Sequence, residues 1–511
     1  MRRLPTLLAV LVVGLLVAGP AAASTGMFVG AAEDNARSVD PLRAKSKMDL
    51  AAAAGLGTIR MTSIWSPHQR TIAGDDLRTL RNAAMAAQFD GVRVMLSIYP
   101  RDQRTTPRTS RARGEFAEYA TSIARLVPSI DDFIVGNEPN LNLFWMPQFG
   151  PGGTDRAARS YELLLAKTYD ALKSVSRDIN VIGGALSPRG QDKPHAARQT
   201  HSPTTFITDL GAAYRSTHRR RPIMDMFAIH PYLIPSRVPP TLTHPRTTTI
   251  GIADYPKLVK LLTRAFARTA QPGATLPIVY DEFGYQSIIP PRKRSLYNHL
   301  GTAAARDAIP EGRQALYYRQ AIAIAQCQPN VAGLLIFHVA DERNANAWQS
   351  GVYYADGKPK TSMVGVRQAA LGAQAGVFAH CRKAKTTTSL QSVVFHDPPA
   401  APGPLQIDVE CTGACTYRAR LIDLDSGDVV AKVDDDAFGE QTIPIPADDL
   451  QPGNYQYALR TFTKGRPGTA VVRYSRPFTI EASPPPDPPL PALQTLLPVL
   501  PSLPTFVSTA P

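Results

Sequence analysis

Two short motifs carry the residue types that chemistry at an acetal carbon requires. One reads Phe133-Ile-Val-Gly-Asn137-Glu138-Pro139-Asn140, the other Pro277-Ile-Val-Tyr-Asp281-Glu282-Phe283-Gly284-Tyr285. Each sets a glutamate directly after an apolar, strand-like run. A carboxylate there is costly to bury unless it is paired or used, so both glutamates are candidate functional groups. Two carboxylates facing each other across a cleft can divide the work. One protonates the departing oxygen while the other attacks the carbon it leaves. At about 5–5.5 Å separation such a pair cleaves a glycosidic bond with retention of configuration.

The elements that must position these motifs can be read from the alternation around them. Residues 27–380 pass repeatedly from short apolar, β-rich runs to amphipathic stretches. Strands are expected at Met27–Ala32, Thr58–Trp65, Val92–Tyr99, Asp132–Asn140, Asn180–Ser187, Met224–Tyr232, Pro277–Tyr285 and Val331–Ala340. Between them lie helical patterns such as Ala157–Arg177, where Tyr161, Leu164, Leu165, Thr168, Leu172 and Val175 recur at three- and four-residue spacing. Tyr255–Thr269 and Gly312–Cys327 read the same way. Eight strands separated by helices predict a (β/α)8 barrel. The alternative, a doubly wound open sheet, would be favoured by a G-x-G-x-x-G turn after a strand, and none is present. Barrel enzymes place their reacting groups at the C-terminal ends of strands. The two glutamate motifs close the fourth and seventh strands.

At this point the sequence resembles a known group. Asn137-Glu138-Pro139, followed by Asn140-Leu141 and Phe144-Trp145, is similar to the strand-four signature of the clan A (4/7 superfamily) retaining glycoside hydrolases. The wording is closest to the β-xylosidase and α-L-iduronidase family, with the cellulase and mannanase family next, and the resemblance covers most of residues 27–370. It implies that Glu138 is the general acid/base, Asn137 the residue bonding the sugar 2-hydroxyl, and Glu282 the nucleophile. Arg60, in Thr58-Ile-Arg-Met, matches the buried arginine beside that nucleophile. His230 and Tyr232, in Ala228-Ile-His-Pro-Tyr, resemble the pair whose tyrosine holds it. Trp348 is the candidate stacking platform for a bound sugar, with Trp65 and Trp145 as weaker ones. No metal or organic cofactor is implied. The sequence departs from the nearest pattern at Gly136, where that family has Trp, and at Phe283-Gly284 after the nucleophile. Asp341 and Glu342 read as loop charges or helix caps, outside the site. The loops at Thr105–Arg113, Arg189–Ser202 and Ser236–Thr249 are expected to shape the subsites.

The rest of the chain divides by texture. Arg2 and Arg3 precede an apolar run from Leu7 to Val17 and the small residues Ala21-Ala22-Ala23, so residues 1–23 read as a secretory signal cleaved near Ala23. The protein is therefore expected outside the cell. The barrel is assigned 24–385. Residues 386–481 hold short alternating runs (Leu405–Glu410, Thr416–Leu424, Gln441–Ile445, Tyr455–Phe462, Ala470–Tyr474) separated by turn signals, and predict a small antiparallel β-sandwich. Lacking an exposed tryptophan platform, that module reads as a spacer more readily than as a sugar binder. Residues 482–511 form a Pro-rich tail with ten of the chain's 46 prolines, which interrupt any membrane helix. An exported chain can form disulfides. Four cysteines allow three pairings; the expected one is Cys327–Cys381 with Cys411–Cys415.

Composition excludes other classes. Of 511 residues 44% are hydrophobic and 19% charged, with a mean hydropathy of −0.15, which fits neither a disordered chain nor a polytopic membrane protein. There is no Walker loop and no G-x-S-x-G elbow. The formal charge of +14 falls to +12 without Arg2 and Arg3. The surplus is spread through loops such as His218-Arg-Arg-Arg without interleaved aromatics, which argues against a nucleic-acid partner. A solvated or cell-wall-facing basic surface accounts for it. The sequence therefore leads to a secreted retaining glycosidase acting on a polysaccharide or oligosaccharide. The rival is a catalytically weak, carbohydrate-binding barrel serving as an envelope scaffold.

Overall fold

The computed structural model describes residues 27–300, 307–375, 390–396, 405–426, 428–446, 450–463, 471–475 and 477–481. The expected signal segment, the Pro-rich tail and Cys381 lie outside the described residues.

Eight parallel strands close into a barrel: β1 (Phe28–Ala32), β2 (Thr58–Trp65), β3 (Arg93–Pro100), β4 (Asp132–Val135), β5 (Asn180–Leu186), β6 (Met226–Ile229), β7 (Ile278–Phe283) and β8 (Val331–Phe337). Helices α1 (Pro41–Ala53), α2 (Gly74–Phe89), α3 (Ser110–Leu126), α4 (Arg156–Val175), α5 (Pro203–Ser216), α6 (Tyr255–Ala265), α7 (Glu311–Gln326) and α8 (Ser362–Gln374) alternate with them. Closure is direct, with β1 pairing both β2 and β8. The (β/α)8 reading holds.

Two cores follow from strand alternation. Met95, Ile134, Ile182, Ala228, Val279 and Leu335, one from each of β3 to β8, fill the barrel interior. The opposite faces of the strands and the apolar stripes of the helices form a larger shell between barrel and helices. In α4, Tyr161, Leu164, Leu165, Thr168 and Leu172 are buried as the spacing predicts, and Asp155 caps the helix by accepting from Ala158 N at 2.7 Å.

The antiparallel module contains β9 (Leu390–Phe395), β10 (Leu405–Asp423), β11 (Val429–Ile445), β12 (Gly453–Thr463), β13 (Val471–Tyr474) and β14 (Phe478–Ile480). β10 pairs with β11 along most of its length, with β9 near its start and with β12 over its second half. The ladder to β11 shifts register between Cys411 and Cys415, and these two cysteines form a disulfide across that irregularity. Cys327 is also disulfide-bonded, and its expected partner Cys381 lies outside the described residues.

Candidate active site

The mouth of the barrel is assembled where strand geometry breaks. β4 ends at Val135 because Gly136 turns the chain with φ +90°, and Glu138 follows in the left-handed region at φ +40°. The left-handed region costs a non-glycine residue roughly 1–2 kcal/mol. The turn is held by Glu138 N donating to Ala185 O and Leu141 N donating to Glu138 O, both at 2.8 Å. A Cβ at Gly136 would lie 3.0 Å from the Tyr161 ring, so the glycine answers to its backbone and to that tyrosine. In β7 the pairing with β8 slips between Tyr280 and Phe283. Consecutive strand residues normally face opposite sides, and this bulge lets Asp281 and Glu282 both reach the same cluster of cations.

Arg60, the third residue of β2 and 4% exposed, is the hub of that cluster. Its Nη1 donates to Glu282 Oε1 at 2.7 Å, and its Nη2 to Asn137 Oδ1 at 2.7 Å and Ser97 Oγ at 3.2 Å. Its Nε faces Asp281 Oδ2 at 3.3 Å. His230, fully buried just beyond β6, is the second cation. Its Nδ1 lies 3.1 Å from Glu138 Oε1 and 3.5 Å from Glu282 Oε2, while Nε2 lies 3.3 Å from Asp281 Oδ1. Burial alone would favour the neutral ring, but Glu282, Asp281 and Glu138 outweigh it and push the pKa up to about 10. The charged form of the imidazole is therefore favoured, with Nδ1 hydrogen-bonded to Glu138 and Nε2 in ion-pair contact with Asp281. Asp281 is held below the usual carboxylate range against its own burial, by the His230 and Arg60 charges. Tyr232 OH donates to Glu282 Oε2 at 3.2 Å.

The structure therefore brings Glu138, Glu282, Asn137, Arg60, His230 and Tyr232 together, and all but the fully buried His230 border a cleft of about 1180 Å³. That exceeds the roughly 300–1,000 Å³ of ordinary small-molecule pockets. Trp348 lines the same cleft, its ring 5.2 Å from Tyr232 and 5.4 Å from Phe337. The two weaker platforms are corrected. Trp65 is fully buried against Phe116 and donates to Gln69 O at 2.8 Å. Trp145 is fully buried against Tyr161 and donates to Ser160 Oγ at 2.8 Å. Both are packing residues.

Sequence reasoning missed several neighbours. Asp281 and Ser97 complete the shell around Arg60, and only the adjacent acids of Asp281-Glu282 hinted at the former. Glu342 borders the cleft and fixes the Trp348 loop by accepting from Trp348 N at 2.7 Å. His338 lies beside it at 3.6 Å and holds the Glu342 carboxyl below its usual range. Asp341 is buried instead: it pairs with buried Lys360 at 2.6 Å and accepts from Tyr297 OH at 2.7 Å, which ties the loops after β7 and β8 together. Of the three loops expected to shape the cleft, 189–202 does so. The other two supply none of its lining; Gln103, Asn142, Leu143, Phe144 and Ile234 stand there instead.

No protein-family model matches the chain, and no curated protein matches its sequence. Solved structures with a similar fold include a calcium-binding mutant of β-glucuronidase 2 from Bacteroides uniformis. It is 13% identical over 89% of this chain and 45% of that one, with a TM-score of 0.41. The chain thus spans less than half the length of that protein. The endo-β-1,4-mannanase from Thermotoga petrophila is 10% identical over 88% of this chain and 97% of that one, at a TM-score of 0.43. The GH39 enzyme from Xanthomonas axonopodis pv. citri is 12% identical over 83% and 92%, again at 0.43. Among the described residues no helix is long and apolar enough to cross a membrane, and no group of acids, histidines or cysteines is arranged to hold a metal ion.

Proposed function

We propose that this chain is a secreted retaining O-glycoside hydrolase of the clan A type, acting on a polysaccharide or oligosaccharide by double displacement. The observation that carries the reading is the shared contact with His230. Glu138 and Glu282 stand 3.1 and 3.5 Å from the same Nδ1, so the two oxygens are separated by no more than the sum of those distances. That ceiling is compatible with the close spacing of about 5–5.5 Å used for retention.

In the first step Glu282 attacks the anomeric carbon from its place between Arg60 Nη1 and the Tyr232 hydroxyl. Those two donors orient the carboxylate and stabilise its negative charge. Glu138 gives its proton to the leaving oxygen. In the second step Glu138 takes a proton from water, which releases the sugar from Glu282. Asn137 spends its carbonyl on Arg60 and so has its amide N–H groups free for a sugar hydroxyl, a contact that gains strength as charge develops at the anomeric centre. Trp348 supplies a face for stacking. His230 sets the charge balance between the two glutamates.

The test is a glycan hydrolysis screen with the product anomer followed by NMR. Glu282→Ala is expected to reduce turnover by several orders of magnitude, and Glu138→Gln to spare only substrates with good leaving groups. An inverted product would sink the retaining mechanism. Binding across the panel with no turnover by the wild-type protein would favour the scaffold reading instead.

A further inference from the structure

The loop between β5 and α5 brings a charge pattern to the cleft that the reaction itself does not require. Arg189 and Arg198 both line the cleft. Among the described residues, neither guanidinium is engaged in an ion pair or hydrogen bond within the protein. No carboxylate bordering the cleft is in ion-pair contact with either arginine, and several of the acids are fixed by bonds elsewhere. Asp192, in the same loop, accepts from Ser202 N at 2.7 Å. Glu33 accepts from Asn35 N at 2.9 Å, Asp34 from Thr62 N at 2.7 Å, and Glu342 from Trp348 N at 2.7 Å. Two unspent forks of N–H donors thus face the cleft.

The loop that carries them is built onto the turn of Glu138. Asn140, two residues beyond that glutamate, accepts from Ser187 N at 3.0 Å and donates to Ser187 O and His201 O at 3.2 and 3.0 Å. His201 N returns to Asn140 O at 2.8 Å. The two arms of the loop press together so closely that a Cβ on Gly190 would fall 2.0 Å from His201 O. The ends of the loop that carries the arginines are therefore anchored to the turn of Glu138. A general acid must stand beside the oxygen it protonates, so a wall bonded to its turn flanks the leaving-group side of the scissile bond. Arginine is suited to that place, because its planar fork matches a carboxylate, sulfate or phosphate through two parallel bonds.

Resting on the hydrolase reading, we infer that Arg189 and Arg198 recognise an anionic substituent on the leaving-group side, so that the substrate is an acidic glycan. The probes are glucuronoxylan, alginate and hyaluronan, each beside its carboxyl-reduced neutral form, with chondroitin sulfate and a phosphodiester-linked glycan as the arms that separate carboxylate from sulfate and phosphate. The wild-type protein is expected to bind or cleave at least one acidic form at least ten-fold better than its neutral counterpart. Arg189→Ala with Arg198→Ala should lower that acidic-to-neutral ratio at least ten-fold, through KM more than kcat. Raising NaCl from 50 to 500 mM should erode the ratio in the same direction. Arg198→Lys should restore part of it, since lysine keeps the charge and loses the fork. The inference falls if neutral glycans are preferred, if the double variant loses both forms equally, or if no acidic glycan is bound or cleaved. A wild-type protein that cleaves a neutral glycan in a Glu282-dependent way would leave the hydrolase reading standing while this inference failed.

Discussion

Asp281→Asn isolates a charge without changing a shape. The amide is nearly isosteric with the carboxyl, so the substitution leaves no cavity in the barrel. Asp281 is fully buried and faces two cations, Arg60 Nε and His230 Nε2, each at 3.3 Å. At an effective dielectric of about 20, each contact is worth about 5 kcal/mol of Coulomb attraction before desolvation is counted. Removing one partner from a buried ion pair costs about 3–5 kcal/mol net, because the other charges stay behind. For the barrel that is a fall in Tm on the order of 10 °C, read by calorimetry. The loss should also depend on pH. His230 is raised from 6.5 to about 10 in the folded protein, so its charge stabilises fully below pH 6.5 and fades as pH rises toward 10. Asp281 is depressed, so its contribution is present above its ordinary value of 3.8 and is lost as pH falls below that. The gap in Tm between wild type and variant is therefore widest between about pH 4 and 6.5 and narrows toward pH 10. Nitrogen NMR of the His230 ring should show it releasing its proton at lower pH in the variant. A variant within about 2 °C of wild type, or a gap that does not change with pH, would refute the claim that this carboxylate balances the two cations.

Three further outcomes follow from particular side chains. Trp348→Ala should raise KM about ten-fold with little effect on Tm, because the ring borders the cleft, whereas Trp145→Ala should cost about 3–5 kcal/mol of stability through the cavity it opens. Denaturation curves and initial-rate kinetics separate the two. Replacing Cys411 and Cys415 by Ala opens a very short loop and should cost about 2 kcal/mol, seen as earlier melting of the β-module with hydrolysis by the barrel unaltered.

Much of the barrel was legible because its strands are continuous apolar runs buried on both faces, and such runs announce themselves without any tertiary information. Strand ends were less legible. Asp132–Asn140 reads as one strand, yet the ladder stops at Val135, where Gly136 and Glu138 leave the β region. Met224–Tyr232 shortens to Met226–Ile229 for the related reason that His230 turns in toward the three carboxylates. In the β-module, Leu405–Glu410 and Thr416–Leu424 read as two runs, but they form one strand interrupted by the disulfide-bridged irregularity. The two glutamates, with Arg60, His230 and Tyr232, could be named because each sits in a recognisable strand-end motif. Asp281 could not, because its exposure to both cations depends on a bulge visible only in the pairing of β7 with β8. Trp65 and Trp145 misled for the opposite reason: the type of residue was right for a sugar platform, and only packing shows which way the ring points.

Arg60 joins four strands through one guanidinium, reaching Ser97 on β3, Asn137 after β4 and both acids of β7 from its own place on β2. The placement of Glu282 is consequently tied to the packing of four strands at the barrel mouth. Breaking the cluster at Arg60, Asp281 or His230 should therefore register in stability as well as in activity. Glu138 meets that network at His230 and lies outside the arginine's reach. A substitution at Glu138 is therefore expected to spare stability more than one at Arg60 or Asp281.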